Sequence, residues 1–264
     1  MASCAICPQS ATVTEASGRQ LCSDHGWPDP PVRSLKELIL RSIERPQRPR
    51  LRISQAGRPC ARELWYVLTS APAAQTKPEA LVKMAVGSAL DEYALKPMPG
   101  LGVHRGVSIT MGELTIDGTD DVEFYELHDP DGAPWMVSDL KTVGIKTWAK
   151  IQQGPKQEHR AQVNLYAYGR GAKRWSVCYV NADTGEIREH FGDMDEFAAR
   201  RDFGLFEEVN YWLKRGEPPP RPYEDIEEDD GTVRLARDQY PCGWCAYKAT
   251  CWPAQEKETN DVVV

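Results

Sequence analysis

A chain of 264 residues with 41% hydrophobic and 27% charged side chains is long enough to bury a substantial core, which excludes collagenous and wholly disordered readings. Its net charge of −7 does not advertise a nucleic-acid binder, because phosphate neutralisation needs Lys and Arg on the contacting surface. The N-terminus has no basic region followed by an apolar run, and no stretch approaches the about 18 apolar residues of a membrane span, so the chain reads as cytoplasmic with no membrane partner. In such a reducing compartment the eight cysteines point to metal ligation rather than to disulfides.

Near the N-terminus, Cys4-Ala-Ile-Cys7 and Cys22-Ser-Asp-His25 set two knuckles fourteen residues apart. Three thiols and one imidazole favour tetrahedral Zn²⁺, and so short and apolar-poor a segment has little other means of folding. Trp27-Pro28-Asp29-Pro30-Pro31 then breaks the chain. The expected organisation is a zinc-knuckle module and linker over 1–30 and a main domain over 31–264.

Ser34 and Glu37 form a capping-box pattern before Leu35, Leu38, Ile39 and Ile43, predicting a helix to about Glu44. Between Arg33 and Arg62 nine basic residues face two acidic ones, an excess of seven, which suits either a phosphate-facing patch or a solvated helix and loop. Ser54 is expected to cap a helix holding Cys60, Leu64, Trp65 and Leu68, and Pro78 opens another with Leu81, Met84, Ala85, Ala89 and Leu95. The front half is therefore largely helical.

From about 102 to 143 the texture changes. Val107–Thr110, Leu114–Ile116 and Trp135–Val143 read as adjacent strands separated by Gly, Asp and Pro. A helix with Gln162 and Tyr166 follows, then strands over Trp175–Val180 and Glu186–Phe191 joined by a hairpin signal at Ala182-Asp-Thr-Gly. A closing helix spans Asp193 to Lys214, and the acidic run from Glu224 to Asp230 marks an exposed connector.

Two positions apart on a strand, Asp139 and Lys141 project to the same face. A carboxylate there suits Mg²⁺ or Mn²⁺, and the ammonium can orient hydroxide or offset charge on a phosphorane-like transition state, which is what phosphodiester hydrolysis requires. Asp121 lies three residues after Gly118 on the preceding strand, with Asp120 as the alternative carboxylate, and Gln162 and Tyr166 stand at i and i+4 on one helix face.

Together, Gly-x-x-Asp, Asp-x-Lys-Thr and Gln-x-x-x-Tyr resemble the PD-(D/E)xK nuclease superfamily, specifically its RecB-like branch. The resemblance implies a restriction-endonuclease-like α/β core, a central mixed sheet flanked by helices. It further implies metal ligands at Asp121 and Asp139, a catalytic ammonium at Lys141, and Gln162 with Tyr166 positioning Lys141 or the DNA backbone. Where the family shows Gly-x-x-x-His, this chain reads Gly87-Ser-Ala-Leu-Asp91, so Asp91 becomes the third expected ligand, a carboxylate that suits a hard cation. His104 and His159 are further candidates nearby.

Cys242, Cys245 and Cys251 form Cys-x2-Cys-x5-Cys, one thiol short of four. Cys60, in its Gly-Arg-Pro-Cys-Ala-Arg-Glu-Leu-Trp-Tyr setting, resembles the lone upstream cysteine of iron-sulfur RecB-family nucleases such as AddB and the CRISPR-associated exonucleases. That resemblance implies a 4Fe-4S cluster acting as a staple across the nuclease core. Four thiols also fit Zn²⁺, and spacing alone does not separate the two. Cys178 reads as a buried structural thiol.

The resulting expectation is a metal-dependent exonuclease acting on single-stranded DNA or DNA ends, in recombination or replication, with a protein partner from those processes. Similar compact proteins occur in bacteriophages, which would place the chain in a host cytoplasm. The other reading is a non-catalytic iron-sulfur DNA-binding or assembly factor that has lost hydrolysis. An iron-sulfur redox enzyme finds no nucleotide-cofactor fingerprint in the sequence.

Overall fold

The fold is described from a computed structural model, which describes residues 13–14, 20–21, 35, 49–96, 100–126, 132–227, 229 and 232–253. The zinc ligands expected at Cys4, Cys7, Cys22 and His25 lie outside these residues, as does nearly all of the helix expected from Ser34 to Glu44 and the basic stretch up to Arg48. The chain divides into two compact units, one comprising Met1–Pro46 and Lys77–Ala85, the other Gln47–Thr76 and Val86–Val264. In the first, Val13–Thr14 pairs antiparallel with Gln20–Leu21, between the two expected zinc knuckles. Among the described residues no helix is long and apolar enough to cross a membrane.

The second unit is a mixed α/β body built on a five-stranded sheet. Its strands are β1 (Leu101–Val103), β4 (Val122–Phe124), β5 (Met136–Val143), β6 (Arg174–Asn181) and β7 (Ile187–Asp193), lying side by side in that order. Only β5 and β6 run parallel, and the crossover between them is α3 (Ile145–Lys150) followed by α4 (Gln157–Arg170). A parallel pair needs such a crossover because a tight hairpin cannot return the chain in the same direction. β5 is the central strand, with its first four residues buried and its last four partly exposed, so it runs out of the core towards solvent.

Helix α5 (Glu196–Arg215) buries Ala199, Phe203, Phe206 and Val209, a helical stripe packed on α4 and on α1 (Ala61–Leu68). Its expected start at Asp193 moves to Glu196 because β7 runs through Asp193 and Asp195 takes the N-cap, accepting from Ala198 N at 2.9 Å. A hairpin of β2 (Gly106–Met111) and β3 (Leu114–Thr119) stands apart from the main sheet and places Val107, Ile109 and Ile116 in the core.

Ser54 does not cap α1; it lies in a 3₁₀ turn over Ile53–Gln55, and Cys60 is the N-cap, because Pro59 disfavours helical geometry at the residue before it. The strands holding Val107 and Leu114 are not neighbours of β5, whose partners are β4 and β6; β4, only three residues long, is too short to announce itself by alternation. Asp121 is consequently not within a strand but in the link between β3 and β4. Cys178, on β6, is half-buried rather than enclosed, with its thiol pushed up to about 11 by burial and then by the charge of Glu189.

Candidate active site and cysteine centre

The antiparallel register of β4 on β5 pairs Val122 with Ser138, so the next step along the ladder brings Asp121 to the level of Asp139. Leu140 N donates to Asp121 Oδ2 at 2.7 Å, which pins the carboxylate beside the exit end of β5. Asp139 is 1% exposed. Its Oδ1 accepts from Lys141 Nζ at 2.8 Å and from Gln162 Nε2 at 2.9 Å. Lys141 Nζ also lies 2.7 Å from Asp139 Oδ2, but without hydrogen-bond geometry, so that buried oxygen has no donor.

On the other side of Asp121 stand Asp91, from the last turns of α2 (Pro78–Ala94), and His104, from the turn between β1 and β2. His104 Nε2 is 3.1 Å from Asp91 Oδ2, while Asp91 Oδ1 is buried with no donor. Asp91, His104 and Asp121 each present a ligand atom within 4.8 Å of the others, and among the described residues they are the trio that meets this condition. His104 adopts φ +51°, a conformation that a non-glycine residue takes at a cost of order 1–3 kcal/mol. Its amide is meanwhile bonded to Asp121 O at 3.1 Å.

Two carboxylates and an imidazole, with Asp91 Oδ1 buried and without a donor, make a trio that fits a hard divalent cation, whereas Asp139, expected as a ligand, lies outside that trio. Burial, the neighbouring Asp139 and, to a smaller extent, Asp91 push the Asp121 carboxyl up to about 7, against Lys141 and the Leu140 amide. Asp139 is likewise raised, burial outweighing its Lys141 partner. Because the folded-state pKa of Asp121 exceeds the unfolded one, the stability tied to this group is fully present below about pH 4 and is lost as pH rises through about 7. A cation that selects the ionised form reverses this loss. The gain in Tm caused by saturating Mn²⁺ should therefore grow between about pH 5.5 and pH 8; a gain that is flat with pH in thermal melts would contradict the site.

Gln162 and Tyr166 sit on the buried face of α4, and the Tyr166 hydroxyl is within hydrogen-bonding reach of the Gln162 side chain. Gln162 thus meets Asp139, while Tyr166, 2% exposed, stands behind it. A Cβ on Gly118 would lie 2.7 Å from Tyr166 Cε1 and 3.0 Å from Ile53 Cβ. With the ring enclosed, Gly118→Ala should cost about 1–3 kcal/mol, read as a lowered urea midpoint; an unchanged midpoint would show that the ring can yield.

The remaining candidates separate. Asp120 turns to Arg170, whose Nε is 3.1 Å from Asp120 Oδ2. His159, its pKa lowered to about 4 by burial and then by Lys141, bonds through Nδ1 to the Tyr179 hydroxyl at 2.8 Å. Of the basic stretch, Arg58 pairs with Glu63, and Arg62 donates to Pro219 O and to the Tyr66 hydroxyl.

Cys60, Cys242, Cys245 and Cys251 line one cavity of about 30 Å³ together with Arg62, Glu63, Tyr66 and Trp252, and none of them is in a disulfide. Cys60 Sγ stands at the N-cap of α1 near the Arg62 and Glu63 amides, and Tyr247 N lies 3.4 Å from Cys245 Sγ. Amide donors favour a thiolate, whereas burial without a cation raises Cys60 and Cys242 and pushes Cys245 up to about 11. The C-terminal segment is also held by Tyr247 stacked on Tyr66 at 5.4 Å, Ala74 N bonded to Ala246 O at 2.7 Å, and Tyr223 bonded to Pro59 O at 3.1 Å. Sequence reasoning thus placed four cysteines that the fold gathers; for His104 it had only a histidine outside any motif.

No protein-family model and no curated protein matches the chain. Among solved structures, SSO0001 aligns over 85% of this chain and 98% of its own, with TM-score 0.50 and 16% identity. An alkaline exonuclease (LHK-Exo) from Laribacter hongkongensis aligns over 64% of this chain and 94% of its own, with TM-score 0.40 and 11% identity. The same exonuclease in complex with dAMP aligns over 59% and 83%, with TM-score 0.35 and 13% identity. The likeness to SSO0001 is one of fold.

Proposed function

We propose that this chain is a divalent-metal-dependent deoxyribonuclease that trims single-stranded DNA or DNA ends in recombination or replication. The reading is carried by one observation: Asp121, Asp139 and Lys141 converge at the solvent end of β5, with Gln162 holding Asp139. Asp91, His104, Asp121 and Asp139 would hold Mg²⁺ or Mn²⁺. Such an ion, when bound, polarises a phosphoryl oxygen and lowers the pKa of its water.

The protein's own contribution is position and charge. Gln162 and Lys141 fix the rotamer of Asp139 through Oδ1, with the ammonium also 2.7 Å from Oδ2. Lys141, 24% exposed and tethered to Asp139, presents an ammonium where a phosphate oxygen gains charge, an electrostatic role that costs no reorganisation because the tether is already made. Tyr166 excludes water behind Gln162.

At the second centre, Cys60, Cys242, Cys245 and Cys251 would hold a 4Fe-4S cluster. All four line one cavity, and a group bound by them joins the start of α1 to the C-terminal segment. Cys4, Cys7, Cys22 and His25 remain the proposed Zn²⁺ ligands. Digestion of end-labelled DNA with Mn²⁺ or Mg²⁺, on substrates blocked separately at each end, tests the reading: metal-dependent shortening from an open end supports it, and DNA binding without cleavage favours an assembly factor instead.

A further inference from the structure

Three hydrogen bonds join the turn carrying Asp121 to the turn carrying His104. His104 N donates to Asp121 O and Asp120 N to Arg105 O, each at 3.1 Å, and Arg105 N donates to Asp120 Oδ1 at 3.2 Å. The two candidate ligands therefore move as one piece. Beside the β4–β5 ladder and the Leu140 N bond to Asp121, a further side-chain tie runs from that piece to α4 through Arg170, in its last turn.

Arg170 Nε lies between Asp120 Oδ2, at 3.1 Å, and Glu123 Oε1, in closer contact. Both carboxylates are 0% exposed. Glu123 Oε2 accepts from the Tyr125 hydroxyl at 2.5 Å, and Arg105 Nε is 3.6 Å away on a side chain that is 56% exposed. The residue facing Glu123 across β1 is Gly102, whose Cβ would stand 2.7 Å from Oε2, so the fold reserves room for this buried acid. Two enclosed acids next to a ligand-bearing turn are thus bridged by the better-buried of two guanidinium groups, which holds them in place. Gln162 stands eight residues before Arg170 on the same helix, about 12 Å along its axis, and holds Asp139.

We propose that Arg170 is a positioning residue: by bridging Asp120 and Glu123 it locks the His104–Asp121 double turn onto α4, the helix that also orients Asp139, and so sets the spacing of the ligands around the divalent cation. The inference rests on reading Asp91, His104 and Asp121 as a metal site. Lysine supplies the charge on a single flexible ammonium and does not reproduce the bridge in full.

The test is a Mn²⁺ titration of the full chain and of Arg170→Met and Arg170→Lys, well below the melting temperature of each, with circular dichroism to establish folding. Mn²⁺ affinity should fall about tenfold in Arg170→Met, as for loss of a residue that orients ligands, and by less in Arg170→Lys, while DNA affinity measured in EDTA stays at the parental value. A folded variant of either kind that binds Mn²⁺ as tightly as the parent overturns the proposal. So does failure of both variants to fold, which makes Arg170 a stability residue only. A parent that binds Mn²⁺ but cuts no DNA removes the nuclease reading and leaves the clamp standing, and a parent that takes up no Mn²⁺ removes both.

Discussion

Asp139→Asn should reduce metal-dependent cleavage by at least about 10³-fold, the loss expected when a group worth several kcal/mol of transition-state stabilisation disappears, while raising the Tm of the metal-free protein. The two effects share one cause. Asp139 is enclosed beside Asp121 and near Asp91, and its carboxyl is held above the usual range, so its ionised form opposes folding at neutral pH until a cation is bound. Neutralising it relieves that opposition and removes the charge the cation needs. Lys141→Met should match the loss of activity with the opposite effect on stability, because it strips the buried Asp139 of its counter-charge. The cost is on the order of 2–3 kcal/mol, less than for a fully enclosed pair because the ammonium reaches solvent. Paired thermal melts and digestion assays decide the matter; cleavage that survives both substitutions would reject this pocket as the seat of hydrolysis.

Cys245→Ser should lower Tm by on the order of 10 °C or more, since about 5 kcal/mol of lost stability moves a domain of this size by roughly 10–20 °C. Cys60 precedes α1, and the other three cysteines lie in the C-terminal segment, so a group bound by all four closes a loop around the α/β core, and its binding free energy becomes folding free energy. Protein purified without oxygen should be brown and contain iron and sulfide, and the variant should lose both together with its stability. A colourless parent with stoichiometric zinc would reassign the centre, and a variant that melts with the parent would deny the staple any structural role.

The strand alternation that puts Asp139 and Lys141 on one face, and the helical spacing of Gln162 and Tyr166, are local regularities, and the structure keeps both pairs together. Boundaries were less legible. Pro59 moved Cys60 from inside a helix to its N-cap, and three-residue β4 was hidden because so short a strand shows no period.

By itself, the sequence determined the local pairings, Asp139 with Lys141 on one strand and Gln162 with Tyr166 on one helix, because periods of two and 3.6 residues are written into neighbouring positions. Only the tertiary structure decided that β4, not the β2–β3 hairpin, lies against β5, that His104 joins Asp91 and Asp121, and that Arg170 reaches Asp120 and Glu123. Those meetings depend on strand order and on where a crossover helix ends, quantities set by the packing of the whole core and carried by no single stretch of residues.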